Sequence, residues 1–198
     1  MMLPDYLVYP AHWIWWLAFG TAGMMANRGR SAAPAAADTI TTPVKASHPK
    51  LLVALHAVGF TVMYVGIANA VFSHRIPAWF AGHDLAGLAV ILLSAAMFVW
   101  ARLYFRSWRL QARLETGHEL ATGGPFRWVR HPIYASVTLL ALGTALWIPT
   151  PTLWLAFALM AIGSDLRARA EEKVLEQGFG ETYREYCRKT ARFVPGIY

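Results

Sequence analysis

The sequence predicts an all-α integral membrane protein of about five transmembrane helices. The last two pair as a C-terminal helical hairpin, and a cytoplasmic amphipathic tail helix follows. Three observations carry this expectation. First, 57% of the 198 residues are hydrophobic and only 15% are charged, with a mean hydropathy of +0.37. A chain of 22.0 kDa has too little interior to hide that much apolar surface from water. Second, the apolar residues gather in charge-free stretches near the ~20 residues that a helix needs to cross hydrocarbon. Third, basic residues alternate between the connecting segments, as the excess of Lys and Arg in cytoplasmic loops requires.

The elements follow in order. Asp5 and Arg28 bracket 22 residues without Lys, Arg, Asp or Glu. Pro10 and His12 make this the least clean of the spans, and its Trp13, Trp15, Trp16 cluster suits a membrane interface. A cleaved signal peptide is disfavoured because no basic region precedes the apolar run. Leu51 to Phe72 gives another 22 such residues and Leu85 to Ala101 gives 17. Pro132 to Ser164 is 33 residues without formal charge, too long for one span. Pro149-Thr150-Pro151 divides it, since proline lacks a donor and disfavours helix in the residue before it. The division predicts two antiparallel helices, Ile133–Ile148 and Thr152 to about Lys173, the second leaving the apolar layer near Asp165. Beyond Gly178 and Gly180, Phe179, Tyr183, Tyr186, Cys187 and Thr190 recur at helical spacing with Glu181, Arg184, Glu185 and Arg188 between them. That pattern predicts a short, separate tail helix.

Residues 28–50 carry four Lys or Arg, whereas residues 73–84 carry only Arg75. Residues 102–131 carry six Arg, and the tail from Asp165 carries seven Lys or Arg. The alternation places the N-terminus outside and the C-terminus in the cytoplasm, in an inner or plasma membrane. It divides the chain into 1–101, three helices with a cytoplasmic loop at 28–50, and 102–198, a polar-rich region built around the hairpin 133–173. The formal net charge of +7 then reads as loop charge facing anionic lipid rather than a nucleic-acid surface. The single cysteine, Cys187, excludes an internal disulfide, and no zinc-ligand spacing is present.

Polar residues crowd into 102–134 and 165–192, both expected on the cytoplasmic side. In the first segment, Gly123-Gly124 permits a tight turn and close ligand approach. His131 precedes proline and is therefore extended, while Pro132 suits the first turn of the next helix. That helix start presents free N–H groups able to bind a carboxylate or phosphate. The ordinary reading of these features is a Gly-Pro turn and a Pro-started helix. In the second segment Arg167 and Glu171 are four apart and share a helix face, ordinarily an i,i+4 pair worth ~0.3–0.5 kcal/mol. His12, His56, His74 and His83 have no ligand spacing and read as structural or interfacial. Arg192 fits either a site contact or a headgroup anchor. Neither a dinucleotide fingerprint nor a phosphate-binding loop is present.

Taken as an ordered set, these residues are more specific. Gln111, His118-Glu119-Leu120-Ala121, Gly124-Pro125-Phe126-Arg127-Trp128-Val129-Arg130-His131-Pro132-Ile133-Tyr134, Glu171-Glu172-Lys173-Val174-Leu175 and Phe179-Gly180-Glu181-Thr182-Tyr183 resemble the isoprenylcysteine carboxyl methyltransferase family and its relatives among the phospholipid methyltransferases. The resemblance covers residues 103–196. It implies S-adenosylmethionine as cofactor, contacted by Gln111, His118, Glu119, Leu120, Ala121, Phe126, His131, Pro132, Ile133, Tyr134 and Glu171. It implies Arg167 as the substrate-side arginine, so that Arg167 and Glu171 are the expected catalytic pair. Phe126 stands where the family usually has Tyr, which removes a phenolic hydrogen bond and keeps the ring.

The implied reaction moves a methyl group from S-adenosylmethionine to a lipophilic small molecule or lipid-modified substrate at the membrane surface. A carboxylate acceptor needs no general base and pairs with Arg167. The alternative acceptor is a phospholipid or other lipid amine or thiol; an amine must shed a proton first, to a base such as Glu172 or along a water path. Phe126 and Trp128 are candidates to pack on the cofactor, and the tail helix, through Tyr183 and Tyr186, to close over it. Membrane sterol reductases, which use NADPH, share a related C-terminal pattern; the short chain and Glu171-Glu172 favour the methyltransferase. A non-catalytic membrane scaffold is the third reading.

Overall fold

The structure, a computed structural model, describes residues 5–28, 44–45, 49–73, 82–105, 113–114 and 120–196. After a 3-10 turn at Asp5–Leu7, five α-helices follow: α1 (Val8–Arg28), α2 (Pro49–Ser73), α3 (His83–Tyr104), α4 (Pro132–Trp147) and α5 (Pro151–Lys189). One short exception to an all-helical fold stands among the described residues. Val44–Lys45 (β1) pairs antiparallel with Arg113–Leu114 (β2), with Val44 opposite Leu114. The expected linker at 28–50 otherwise lies largely outside the described residues. Two helices, Leu51–Ser73 and His83–Tyr104, are long and apolar enough to cross a membrane, each with mean hydropathy 2.0.

Helix α3 packs on both α1 and α4, and α5 packs on both α2 and α4. The α3–α4 crossing depends on Gly87 and Gly143. A Cβ on Gly87 would lie 2.6 Å from the Gly143 carbonyl oxygen, and one on Gly143 would lie 2.8 Å from that of Gly87. Small residues at such a crossing let two backbones touch, which is how helices gain packing energy where no hydrophobic drive operates.

Buried polar side chains tie α1 into this bundle, which the interfacial reading of its tryptophans missed. Trp15, 1% exposed, donates from Nε1 to Ser94 Oγ on α3 at 2.8 Å, and Ser94 donates to the Ser136 carbonyl on α4 at 2.6 Å. Thr144 donates its hydroxyl to the Leu140 carbonyl at 2.7 Å, so it accepts from His12 Nε2–H at 2.9 Å. His12 Nδ1 then accepts from the Tyr64 hydroxyl at 3.0 Å, which itself accepts from Trp16 Nε1 at 2.6 Å. Each group is satisfied, as polar groups among packed apolar helices must be. Of the three tryptophans only Trp13, 68% exposed, faces fully outward.

The C-terminal helix carries the break that the glycines predict. Helix α5 starts as predicted, with Thr150 capping Leu153 N–H and Pro151 in its first turn. Non-helical Gly180 then divides it into two helical segments, the second running on to Lys189, so the short tail helix expected beyond the glycines is present. Gly178 stays helical; its cost of ~1 kcal/mol relative to Ala is small beside the packing on either side. Gly180 alone leaves helical geometry, at φ 54°, and kinks the rod. Arg184 reaches across the kink to Glu176 at 3.3 Å.

Candidate active site

The turn before α4 is built as its residues dictate. Gly123 is extended, Gly124 takes φ +55°, and Gly124–Arg127 coil into a 3-10 turn. Glycine is required at 124 twice over: the angle is left-handed, and a Cβ there would lie 2.6 Å from the Tyr104 ring. His131 stops short of helical geometry (φ −125°, ψ 61°) and Pro132 opens α4. The chain end returns to this turn. Val129 and Ala191 form a parallel bridge, Arg130 N–H donates to the Ala191 carbonyl at 2.8 Å, and Tyr186 donates its hydroxyl to the Phe126 carbonyl at 2.6 Å. Burial holds the Tyr186 hydroxyl above the ordinary phenol range, so it remains a donor.

These elements border a recess that opens to solvent. Leu120, Ala121 and Phe126 line one side, and His131, Pro132, Ile133, Tyr134 and Glu171 line another. Every candidate cofactor residue among the described residues therefore meets in one place. Gln111, His118 and Glu119 lie outside the described residues. Phe105, Arg130, Leu175, Tyr183 and Tyr186 complete the wall. Of these, Phe105 carried no sequence signal beyond being an aromatic at the end of α3. Trp128 does not line the recess; it is 62% exposed on the far side of the turn.

The polar side of the recess is ordered by two adjacent glutamates with different tasks. His131 Nδ1 lies 3.8 Å from Glu171 Oε2, and Nε2 lies 3.2 Å from Glu172 Oε1. The imidazole stacks on the Tyr134 ring at 5.6 Å and 15°. Tyr134 lies within electrostatic reach of both Glu171 and Arg167, and the Arg167 guanidinium carbon lies 4.9 Å from its ring centroid. Glu171, Tyr134 and Arg167 thus form a continuous polar seam one helical turn long.

Glu172 faces away from the recess into a cluster of cations. Arg130 reaches Oε1 at 2.9 Å, and Arg192 binds it bidentately at 3.0 Å and 2.7 Å. Burial by itself would raise the Glu172 carboxyl. The hydrogen bonds from His131 and Arg192, with the charges of His131 and Arg130, outweigh it and hold the group well below the usual carboxylate range. Arg192 also reaches Asp165 at 3.3 Å, and Arg130 donates to the Thr190 carbonyl. Arg192 is accordingly a site-ordering residue, and Glu172 is an ion-pair hub rather than a base awaiting a proton.

A second cavity of about 710 Å³ adjoins the recess, with Ile133 and Tyr134 as shared wall. It opens between α1, α2, α4 and α5 and is apolar over most of its lining, including Trp16, Phe19, Val53 and Phe60. Arg167 and His56 stand at it. A third, larger apolar groove lies on the other face of α4 and shares no residue with the recess.

A sequence profile of the phospholipid methyltransferase family matches residues 83–182, from the start of α3 to beyond the α5 kink. The chain belongs to that family. The match reaches further upstream than residue 103 and takes in the whole of α3. Relatives of this phospholipid methyltransferase family member include a probable protein-S-isoprenylcysteine O-methyltransferase of Oryza sativa subsp. indica. It is 28% identical over 137 residues, covering 69% of this chain and 62% of that protein. The protein-S-isoprenylcysteine O-methyltransferase of Saccharomyces cerevisiae is 34% identical over 90 residues, 44% of this chain and 37% of that one. The chain thus spans less than two thirds of the length of these two relatives. Its fold resembles the solved eukaryotic intramembrane Ras methyltransferase ICMT, with a TM-score of 0.55 and 20% identity over 76% of this chain and 54% of that one.

Proposed function

We propose that the protein is an integral membrane methyltransferase that moves the methyl group of S-adenosylmethionine to a lipophilic acceptor, most directly a carboxylate such as that of an isoprenylated cysteine. The recess suits the cofactor by its donor set. Glu171 offers a carboxylate to an ammonium or ribose hydroxyl, while Phe126, Leu120, Ala121 and Leu175 offer an apolar bed for a base. When bound, S-adenosylmethionine supplies an already activated methyl group on a sulfonium, so the protein has only to hold, align and desolvate.

The single observation that carries this reading is the seam from Glu171 through Tyr134 to Arg167. It joins the recess to the second, largely apolar cavity between α1, α2, α4 and α5, hereafter the groove. Glu171 and His131, 3.8 Å apart, share one small molecule on the recess side. Arg167, one turn back along α5, orients a carboxylate on the groove side by paired N–H donors. Tyr134 stands between and sets the spacing of the two. The acceptor's lipophilic chain lies on the rings of α1 and α2. An amine acceptor is less well served, because Glu172 is committed to Arg130, Arg192 and His131.

In this reading the five helices span the membrane with the N-terminus outside, and the recess and α5 end lie at the cytoplasmic face. Incubating membranes with methyl-labelled S-adenosylmethionine and identifying the labelled lipophilic product tests the assignment. Label in a base-labile methyl ester supports it. Binding of NADPH but not S-adenosylmethionine to the purified protein would overturn it.

A further inference from the structure

The groove has a closed end, and the residues that close it precede the family match at 83–182. We infer that Trp16, held in place by Tyr64, is the floor of the groove, and that the site selects acceptors whose apolar chain is about eight carbons long, the main chain of two isoprene units. This rests on the methyltransferase reading above and names an acceptor class for the same groove.

The groove runs along the helices. On α2 it is lined from Val53 through His56 and Ala57 to Phe60, a depth of ~10 Å at 1.5 Å per residue. Arg167 stands at the Val53 end. His56 Nε2 meets Ser164 Oγ at 3.2 Å across the antiparallel pair α2 and α5, and one turn further on lie Val53 and Arg167. Phe60 and Trp16 form the other end, with ring centroids 5.4 Å apart, and Trp16 meets Trp15 edge-on at 5.1 Å. Among the described residues, nothing past Phe60 on α2 or on the outer side of Trp15 on α1 lines the groove.

The floor is fixed from behind. Trp16 Nε1 donates to the Tyr64 hydroxyl at 2.6 Å, Tyr64 donates to His12 Nδ1 at 3.0 Å, and His12 donates to Thr144 Oγ1 at 2.9 Å. One line of hydrogen bonds therefore ties α1, α2 and α4 together directly beyond the rings. A chain that pushed Trp16 aside would strip a donor and an acceptor of their partners where no water replaces them. With the carboxylate on Arg167, ~10 Å accommodates about eight carbons at roughly 1.25 Å per tetrahedral carbon. A longer chain has to turn out of the groove and loses its seat on the rings. Trp16 and Phe60 belong to the first two helices, so the depth is a property of this chain's own N-terminal part.

The test uses the purified full chain in one detergent, methyl-labelled S-adenosylmethionine and two acceptors, N-acetyl-S-octyl cysteine and its S-hexadecyl analogue. The readout is the octyl-to-hexadecyl ratio of kcat/KM, and comparing that ratio between proteins cancels the acceptors' partition into micelles. The wild type should favour the octyl acceptor. Trp16→Ala should lower the ratio by roughly tenfold, within the range that pocket size alone discriminates, and leave the affinity for S-adenosylmethionine within about threefold. Tyr64→Phe, which keeps the indole and removes its tether, should move the ratio the same way by less, and it carries the test if Trp16→Ala does not fold. Leu142→Ala, in the third groove on the other face of α4, should leave the ratio at the wild-type value. A wild type that favours the hexadecyl acceptor, a ratio that neither Trp16→Ala nor Tyr64→Phe lowers, or one that Leu142→Ala lowers equally would each overturn the inference. If S-adenosylmethionine does not bind the wild type at all, the methyltransferase reading itself fails, and titration of the cofactor separates the two failures.

Discussion

Replacing Glu172 with Gln should destabilise the protein more than any other single charge removal near the recess. Four contacts of 3.0 Å or less join its carboxylate to two guanidinium groups, and His131 stands at 3.2 Å. Its partners Arg130 and Arg192 are 11% and 16% exposed, so both are partly desolvated. Breaking a fully buried pair costs ~3–5 kcal/mol; with this residual solvent access about 2–3 kcal/mol is expected. At 2–4 °C per kcal/mol for a chain of this size, the melting midpoint should fall by roughly 5–10 °C. The pH dependence adds a sharper criterion. The folded carboxyl lies below its ordinary value of 4.5, so its contribution is fully present above that pH and is lost as pH falls through the folded value. The gap between wild type and Glu172→Gln should therefore be flat from pH 5 to 8 and shrink only below about 4.5. Thermal unfolding in detergent, followed by tryptophan fluorescence across pH, measures it. An unchanged midpoint, or a gap that widens on acidification, would refute the hub assignment.

Other substitutions test other joints. Gly143→Leu should prevent α4 from seating on α3, costing at least ~3 kcal/mol or abolishing folding, since overpacking a backbone crossing leaves nothing flexible to yield; expression and melting report it. Tyr186→Phe should cost ~1 kcal/mol, one net hydrogen bond, and weaken cofactor affinity because the Phe126 turn loses its tie to α5; a melt and a titration read both effects. Arg167→Ala should lower turnover with the affinity for S-adenosylmethionine within about threefold, as steady-state rates and a binding isotherm would record.

Much of this arrangement was legible in the sequence where a local rule acts alone. The charge-free runs marked α2 and α3, the Pro132 start of α4 followed from backbone sterics, and Gly124 declared its turn. The ordered motif residues from Leu120 to Glu171 were traceable because the same small set recurs in a known family. What stayed hidden was set by tertiary partners. Nothing local distinguishes Glu171 from Glu172. They point about 100° apart on α5, and only the return of Arg192 to the helix decides which one is neutralised. Gly178 and Gly180 look alike in sequence, yet only Gly180 leaves helical geometry. His12, Trp15 and Trp16 resembled interfacial residues because their partners Thr144, Ser94 and Tyr64 lie 132, 79 and 48 residues away. His56 was unreadable for the same reason, being separated from Ser164 by 108 residues.

The most direct measurement is a calorimetric titration of S-adenosylmethionine into the purified protein and its Glu171→Ala variant. A site formed by Glu171 and His131 predicts saturable binding to the wild type and at least tenfold weaker binding to the variant, about 1.4 kcal/mol. Equal affinities for the two proteins would mean that the ligand is held somewhere else.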